Sequence, residues 1–261
     1  MGVENYKIGR GEFMFSLFVD PLTRVERGFL PFGNCPGGTF NRTVERIEHM
    51  SSMTGVKTKD FSQIVSSTMA GSVTTDEVSA NSMAMFLGGT AADVSFTSGT
   101  GVTSVFNAYK GATYQLGVTA SRPNGLQQIK STPAVTVTGG AGGSTSYTAG
   151  TDYTIDYERG TITFLLGGTI TDGGQVTVTY SHDAYSRFQI NSGAIEIEGA
   201  LRFYDRAEFG QRMDWYLPWV KLTPNGDVNL IGDELTSISW NVEVLKKGAM
   251  AEAYIAGKPI V

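Results

Sequence analysis

Between Val65 and Gly89 the hydrophobic period changes from two residues to nearly four. In the first part Val65, Met69 and Val73 take one side while Ser66, Thr68 and Ser72 take the other, which predicts a strand with one face for a core and one for water. The next stretch, "TTDEVSANSMAMFLGG", predicts a helix. Thr74 and Glu77 stand at capping-box spacing, Asp76 complements the positive end of the helix dipole, and Gly88-Gly89 ends the run. Ala80, Met83, Ala84 and Leu87 fall on one stripe of it, with Val78 and Met85 nearly opposite, beside Ser82. Such a helix needs cover on two sides, from a loop of its own subunit or from a neighbouring subunit.

The rest of the chain reads as strands, so the fold class expected is all-β with one flanking helix. Val44 to Val73 gives two strands joined by the basic loop "SSMTGVKTKD". The runs "AVTVTG", "DYTIDYE", "GTITFLL" and "QVTVTYS" alternate between glycine-rich turns and set off residues 109–182 as an inserted, charge-neutral β-rich module. After it come "AIEIEGALRFY", "MDWYLPWVKL" and "ELTSISWNVEVL"; in the last, Ile238, Trp240, Val242 and Val244 face one way and Ser237, Ser239, Asn241 and Glu243 the other. Residues 1–43, broken by Pro21, Pro31, Pro36 and "GNCPGGTFN", read as an amino-terminal arm whose Phe13, Phe15, Leu17 and Phe18 dock on another subunit. Residues 44–108 and 183–261 are then the two parts of one main domain. Long open strands invite uncontrolled pairing unless their edges are covered, which an obligate assembly would do.

Composition narrows the function. With 261 residues, 41% hydrophobic and 17% charged, the chain can bury a real core, and no run is long and apolar enough to span a membrane as a helix. The amino terminus lacks the order of a signal peptide, and Tyr6 stands where myristoylation wants Ser or Thr, so the expectation is a protein made and kept in the cytosol until it assembles. One cysteine, Cys35, excludes an internal disulfide, and a net charge of −5 argues against a tight grip on nucleic acid.

Catalytic chemistry has little to stand on. His49 and His182 belong to no metal-binding spacing, and there is no nucleophile elbow, phosphate-binding loop or dinucleotide fingerprint. Glu196 and Glu198 share a strand face at roughly 6.6 Å, a separation an inverting glycosidase uses, but neighbours on one strand form a solvated stripe and not two walls of a cleft. Asp152, Asp156 and Glu158 lack a turn to gather them on a cation. The expectation is no enzyme, no cofactor and no metal.

The segment "CPGGTFNRTVERIEHMSSMTGVKTKDFSQIVSSTMAGSVTTDEVSANSMAMFLGG" resembles the amino-terminal half of the major tail tube proteins of long-tailed (siphovirus-type) bacteriophages, with Glu45, Glu48, His49, Ser51, Thr75, Glu77, Ser79, Asn81, Ala84, Phe86, Leu87 and Gly88 at matching or nearby places. "LTPNGDVNLIGDELTSISWNVEVLKKGAMAEAYIAGKP" is similar to the closing strands of that family, and "YTAGTDYTIDYERGTITFLLGGTITDGGQVTVTYS" looks like a module of several phage virion proteins. The resemblance implies a β-sandwich or half-barrel subunit that forms hexameric rings stacked into a virion tail tube, a conduit for DNA ejection. Its implied partners are further copies of itself, the tape measure, tail terminator and distal tail proteins, and DNA that passes the lumen without specific binding.

On that reading the hydroxyl and acidic faces, Ser66, Thr68, Ser72, Glu196, Glu198, Ser237, Ser239, Asn241 and Glu243, are candidates to line the lumen, while Phe13, Phe15, Leu17, Phe18, Val78 and Met85 are candidates for contacts between subunits. The competing reading is a monomeric β-sandwich adhesin or carbohydrate-binding module that stacks sugars on Tyr153, Tyr157, Trp215 and Trp219.

Overall fold

The computed structural model describes residues 6–53, 55–208 and 210–257, and the chain is almost wholly β, with one short α-helix among the described residues. The first five residues of the expected arm and the last four of the chain lie outside the described residues. In chain order the elements are β1 (Gly11–Leu17), β2 (Leu30–Pro31), β3 (Gly37–Ser51), β4 (Thr58–Thr75), α1 (Ala80–Phe86), β5 (Thr90–Phe96), β6 (Gly99–Ala108), β7 (Thr113–Gln115), β8 (Thr136–Gly139) and β9 (Thr145–Tyr147). They continue as β10 (Tyr153–Asp156), β11 (Thr161–Phe164), β12 (Gly174–His182), β13 (Tyr185–Asn191), β14 (Ile197–Asp205), β15 (Met213–Asn225), β16 (Ile238–Val244) and β17 (Tyr254–Gly257).

The chain divides into two units. Unit 1 runs through Ala92 and resumes at Ile190; unit 2 is Asp93–Gln189. Unit 1 holds a sheet ordered β2-β1-β14-β15-β16-β4-β3, with β17 also paired to β15. One face of that sheet is the core: Val73, Ile238, Trp240, Val242, Val220, Leu222, Leu217, Leu201 and Ile197 are all buried in one cluster. Each such side chain contributes about 1.5–3 kcal/mol by leaving water, so the period-two pattern of β16 is what fixes its register against β4 and β15. Phe40 crosses Gly71 on this face: a Cβ at Gly71 would collide with the Thr39 carbonyl and the Phe40 ring.

The expected arm is not an arm. Residues 11–17 pair along β14, from Gly11 opposite Asp205 to Leu17 opposite Gly199. Phe13 and Phe15 point into the core, where Phe13 packs on Phe203 and Phe15 on Phe32, and Leu17 is half-buried against the same cluster. Phe18 is buried too, with the Lys247 ammonium 4.8 Å from its ring. The four residues assigned to a neighbouring subunit therefore serve their own fold. "GEFMFSLF" alternates with period two, and that pattern satisfies an open edge of β14; Pro21 lies outside any strand, and Pro31 sits on the edge strand β2, where no ladder donor is required.

The helix exists but starts later than Thr74. β4 runs through Thr75, and the cap is Ser79, whose Oγ accepts from the Ser82 backbone N–H at 3.1 Å while the Ser82 Oγ accepts from the Ser79 N–H at 2.8 Å. Glu77 turns back to accept the Asn34 backbone N–H at 3.0 Å, and the Asp76 carboxylate accepts the Asn34 side-chain amide. Ser82 and Ala84 are buried and Met83, Met85 and Phe86 pack on the core of unit 1, so Met85 is held by its own chain and Val78 remains exposed.

Unit 2 is wider than the expected 109–182. β6, assigned by sequence to the main domain, pairs with β12 from Gly174 opposite Ala108 to His182 opposite Gly99, in a sheet ordered β6-β12-β8-β9. A second sheet, β10-β11-β7, shares with it a separate core that includes Leu116, Leu126, Val137, Tyr153, Ile162, Phe164, Val178 and Tyr180. The chain enters on β5 and leaves on β13, and these two strands pair with each other. Between β8 and β9, "GGAGGSTS" is an ordered hairpin connection.

Candidate functional site

Antiparallel register gathers the polar stripes that sequence treated separately. Ser72 stands opposite both Thr39 and Asn241, Asn241 opposite Thr223, and Thr74 opposite Ser239. Glu243 stands opposite Lys221 and Lys221 opposite Glu198, while Thr68 and Ser66 extend the stripe opposite Thr43 and Glu45. Directly opposed residues share a face, so β3, β4, β16, β15 and β14 present one continuous hydroxyl and carboxylate surface on the side away from the core.

Short hydrogen bonds knit it together. Thr74 and Ser239 hydroxyls lie 2.8 Å apart, Thr39 and Ser72 hydroxyls 2.9 Å apart, and the Ser66 hydroxyl donates to Glu45 at 2.9 Å. Ser237, the remaining candidate, is exposed just before β16.

Glu196 and Glu198 are not a free acidic pair. The Lys221 ammonium bridges them, 2.8 Å from Glu196 and 3.0 Å from Glu198, and the Trp219 indole N–H donates to Glu198 at 3.0 Å. The hydrogen bond from Lys221 holds the Glu196 carboxyl below its usual range, and the same bonds raise Lys221. Two neighbours on one strand, both turned to the same ammonium, do not face each other across a cleft with room for a sugar between them, so the arrangement is not that of a glycosidase pair. The face carries Glu45, Glu196, Glu198 and Glu243 against Lys221 and Arg202, so it remains acidic.

The second feature is the hairpin β3–β4. β4 has 18 residues, yet it pairs with β16 only from Met69 to Thr75; from Thr58 to Thr68 its ladder partner among the described residues is β3 alone. Thr43–Ser51 and Thr58–Thr68 thus form a two-stranded overhang beyond the core. The ladder skips Val65, and no core lies beneath the strand at that point, so Val65 is 56% exposed where simple alternation would bury it. Val44, Ile47, Met50, Phe61 and Ile64 are exposed on the same overhang. A two-stranded ribbon of this length, with open edges and six exposed apolar residues set among its charged and polar ones, is what solvent-exposed proteins avoid.

The rival aromatic platform does not form. Tyr153 is buried in unit 2, its hydroxyl donating to the Val135 carbonyl at 3.1 Å, and Trp219 is covered by the Arg24 guanidinium at 3.7 Å from the ring. Trp215 is half-buried and stacks on Phe40, which leaves Tyr157 as the one of the four at 40% exposure. His182 is buried with Nδ1 3.0 Å from the Asp183 carbonyl, and His49 pairs with Asp60 at 2.6 Å on the surface. Asp152 is spent on a turn, accepting the backbone N–H groups of Thr148 and Thr169 and the Thr169 hydroxyl. Among the described residues no three His, Cys, Asp or Glu side chains converge as a metal site would need.

The sequence patterns of "SSMTGVKTKD" and of the strands around it located the hairpin, but exposure on both sides of it depends on where β16 stops, which no local pattern records. The chain belongs to the family described as protein of unknown function UCP028589, whose model matches residues 8–255. No curated protein matches the chain.

Proposed function

We propose that the chain is a structural subunit that pairs edge to edge with further copies of itself into closed rings, stacked as a hollow tube, the tail tube of a long-tailed bacteriophage through which DNA passes. The observation that carries this reading is the overhang: Thr43–Ser51 and Thr58–Thr68 form a ribbon with exposed aliphatic and aromatic residues on a sheet whose strands β14 and β16 bury their apolar side chains against one core. Pairing with an adjacent copy would cover those residues and satisfy the open strand edges, and a heterologous contact that closes on itself gives a ring.

The polar face supports the lumen assignment. Ser66, Thr68, Ser72, Ser239, Asn241 and Glu243 share one side with the clamped Glu196–Lys221–Glu198 cluster, so the surface offers hydroxyls and net negative charge. Such a lining repels phosphate, whereas a row of free lysines and arginines would hold the nucleic acid backbone by releasing its counterions. With the arm residues folded into the core, ring contacts fall to the overhang and the sheet edges in place of Phe13, Phe15, Leu17 and Phe18.

Negative-stain electron microscopy and size-exclusion chromatography of the purified chain test the reading. Rings or tubes are expected. A protein that stays monomeric at every concentration, with its overhang exposed, would overturn it in favour of a monomeric binding module.

A further inference from the structure

Two exposed apolar clusters of unit 1 lie at opposite ends of one strand. The segment 226–237 leaves β15 after Asn225, which stands opposite Ser239, and enters β16 at Ile238, which stands opposite Thr75. Both of its ends are therefore at the Thr75 end of β4. The hairpin turn precedes Thr58, at the other end of the same 18-residue strand. At about 3.3 Å per residue the two are separated by up to roughly 55 Å, so they cannot meet within one copy.

Each end carries exposed apolar side chains. In the segment 226–237, Val228 packs on the core and the Thr236 hydroxyl donates to the Asn229 carbonyl, but Leu230, Ile231 and Leu235 are more than 80% exposed. Beside the hairpin turn, Met53 and Val56 are 95% and 74% exposed.

Their charges differ in sign. Asp227, Asp233 and Glu234 have no ion pair among the described residues, so the first end is acidic. At the second, Glu48 pairs with Lys59 and His49 with Asp60, which leaves Lys57 as the exposed cation. Joining two acidic ends, or two basic ones, places like charges together, while acidic to basic matches both charge and apolar surface.

We propose that the acidic segment 226–237 of one copy receives Met53, Val56 and Lys57 of the next, a head-to-tail joint along the direction of β4. The joint rests on the tube reading and supplies what edge pairing alone does not: a contact along the tube axis. Because the two surfaces are different and lie at opposite ends, the contact repeats without closing and lengthens the assembly one layer at a time.

Two single-cysteine proteins test it, Met53→Cys and Leu230→Cys, each with Cys35→Ser. Mild oxidation of their mixture should give a disulfide-linked dimer that neither protein gives alone. In parallel, Lys57→Glu should shift the wild-type tubes to single rings, and mixing in Asp233→Lys/Glu234→Lys subunits should restore length. Tubes of wild-type length from Lys57→Glu together with no mixed disulfide would overturn the joint and leave the ring-and-tube reading standing. Mixed disulfides in linear oligomers without rings would support the joint and overturn the closed ring. Wild-type protein that remains monomeric and gives no mixed disulfide would overturn both. All the substituted side chains except Cys35 are at exposed positions, and circular dichroism of each variant checks that the fold is kept.

Discussion

The overhang makes a quantitative prediction about hydrogen exchange. Nine residue pairs, from Thr43 opposite Thr68 to Ser51 opposite Thr58, lie beyond the last pairing of β4 with β16. A lone two-stranded ribbon is marginally stable in water, so in the free subunit its opening free energy should be about 0–2 kcal/mol. Its base is different: Gly71 and Val73 lie between β3 and β16, over the Trp240 and Val242 core, and should open only with larger-scale unfolding, at about 5–15 kcal/mol. At 1.4 kcal/mol per tenfold, the amides of 58–67 should exchange at least about a hundred times faster than those of 70–74. Exchange followed by mass spectrometry on peptic peptides reads this in the free subunit, and again after assembly, where the overhang should gain most of the missing protection. Overhang amides protected like the base in a verified monomer would refute the reasoning, because the ribbon would then be stable without a neighbour. Overhang amides still fast in assembled material would remove it from the contact between copies.

Two separate cores should give two separable unfolding transitions in calorimetry: Trp240→Ala should lower one and Phe164→Ala the other, each by about 3–5 kcal/mol, and a common shift of both would count against independent units. Asp205, buried at the end of β14, is pushed up by desolvation but held lower on balance by Lys7 and by the Met213 and Ala207 backbone N–H groups. Its depressed folded-state pKa means that its stabilisation is full above the unfolded value near 4 and is lost as pH falls through the folded value, so Asp205→Asn should destabilise by about 1–3 kcal/mol at pH 7 and flatten the acid limb of a urea-melt series. Gly71→Val should abolish soluble, folded protein, since a side chain there meets the Thr39 carbonyl and the Phe40 ring; a normal melting curve would refute that crossing. Replacing 97–184 by an Asn-Gly turn between Phe96 and Tyr185, whose rings already stack at 4.7 Å, should leave unit 1 folded and assembling, as judged by microscopy.

Period-two alternation made β14, β15 and β16 legible, because their apolar positions are the core itself: Ile238, Trp240, Val242 and Val244 are buried as the pattern predicts. The same period runs through "GEFMFSLF", beside prolines and glycines that mark a broken segment. Those breakers govern residues 20–36, where the chain turns, and say nothing about Gly11–Leu17, whose fate depends on an edge of β14 nearly 190 residues away. A shorter separation, about 70 residues, hid β6, which is recruited by β12 through pairs such as Val105 opposite Thr177.

For the candidate site, the hydroxyl and acidic stripes could be read strand by strand, but their merger required the register that sets Ser72 between Thr39 and Asn241. Lys221 was invisible as a partner of Glu196 and Glu198 for the same reason: it lies on β15, and only the ladder brings its ammonium between the two carboxylates. Local pattern thus reports which side of a strand wants water. Whether that water-facing side becomes a shared surface, and whether a strand runs past the end of its core, is decided by pairings across the sheet, and in this chain the overhang, the acidic face and the segment 226–237 are all consequences of where β16 begins and ends.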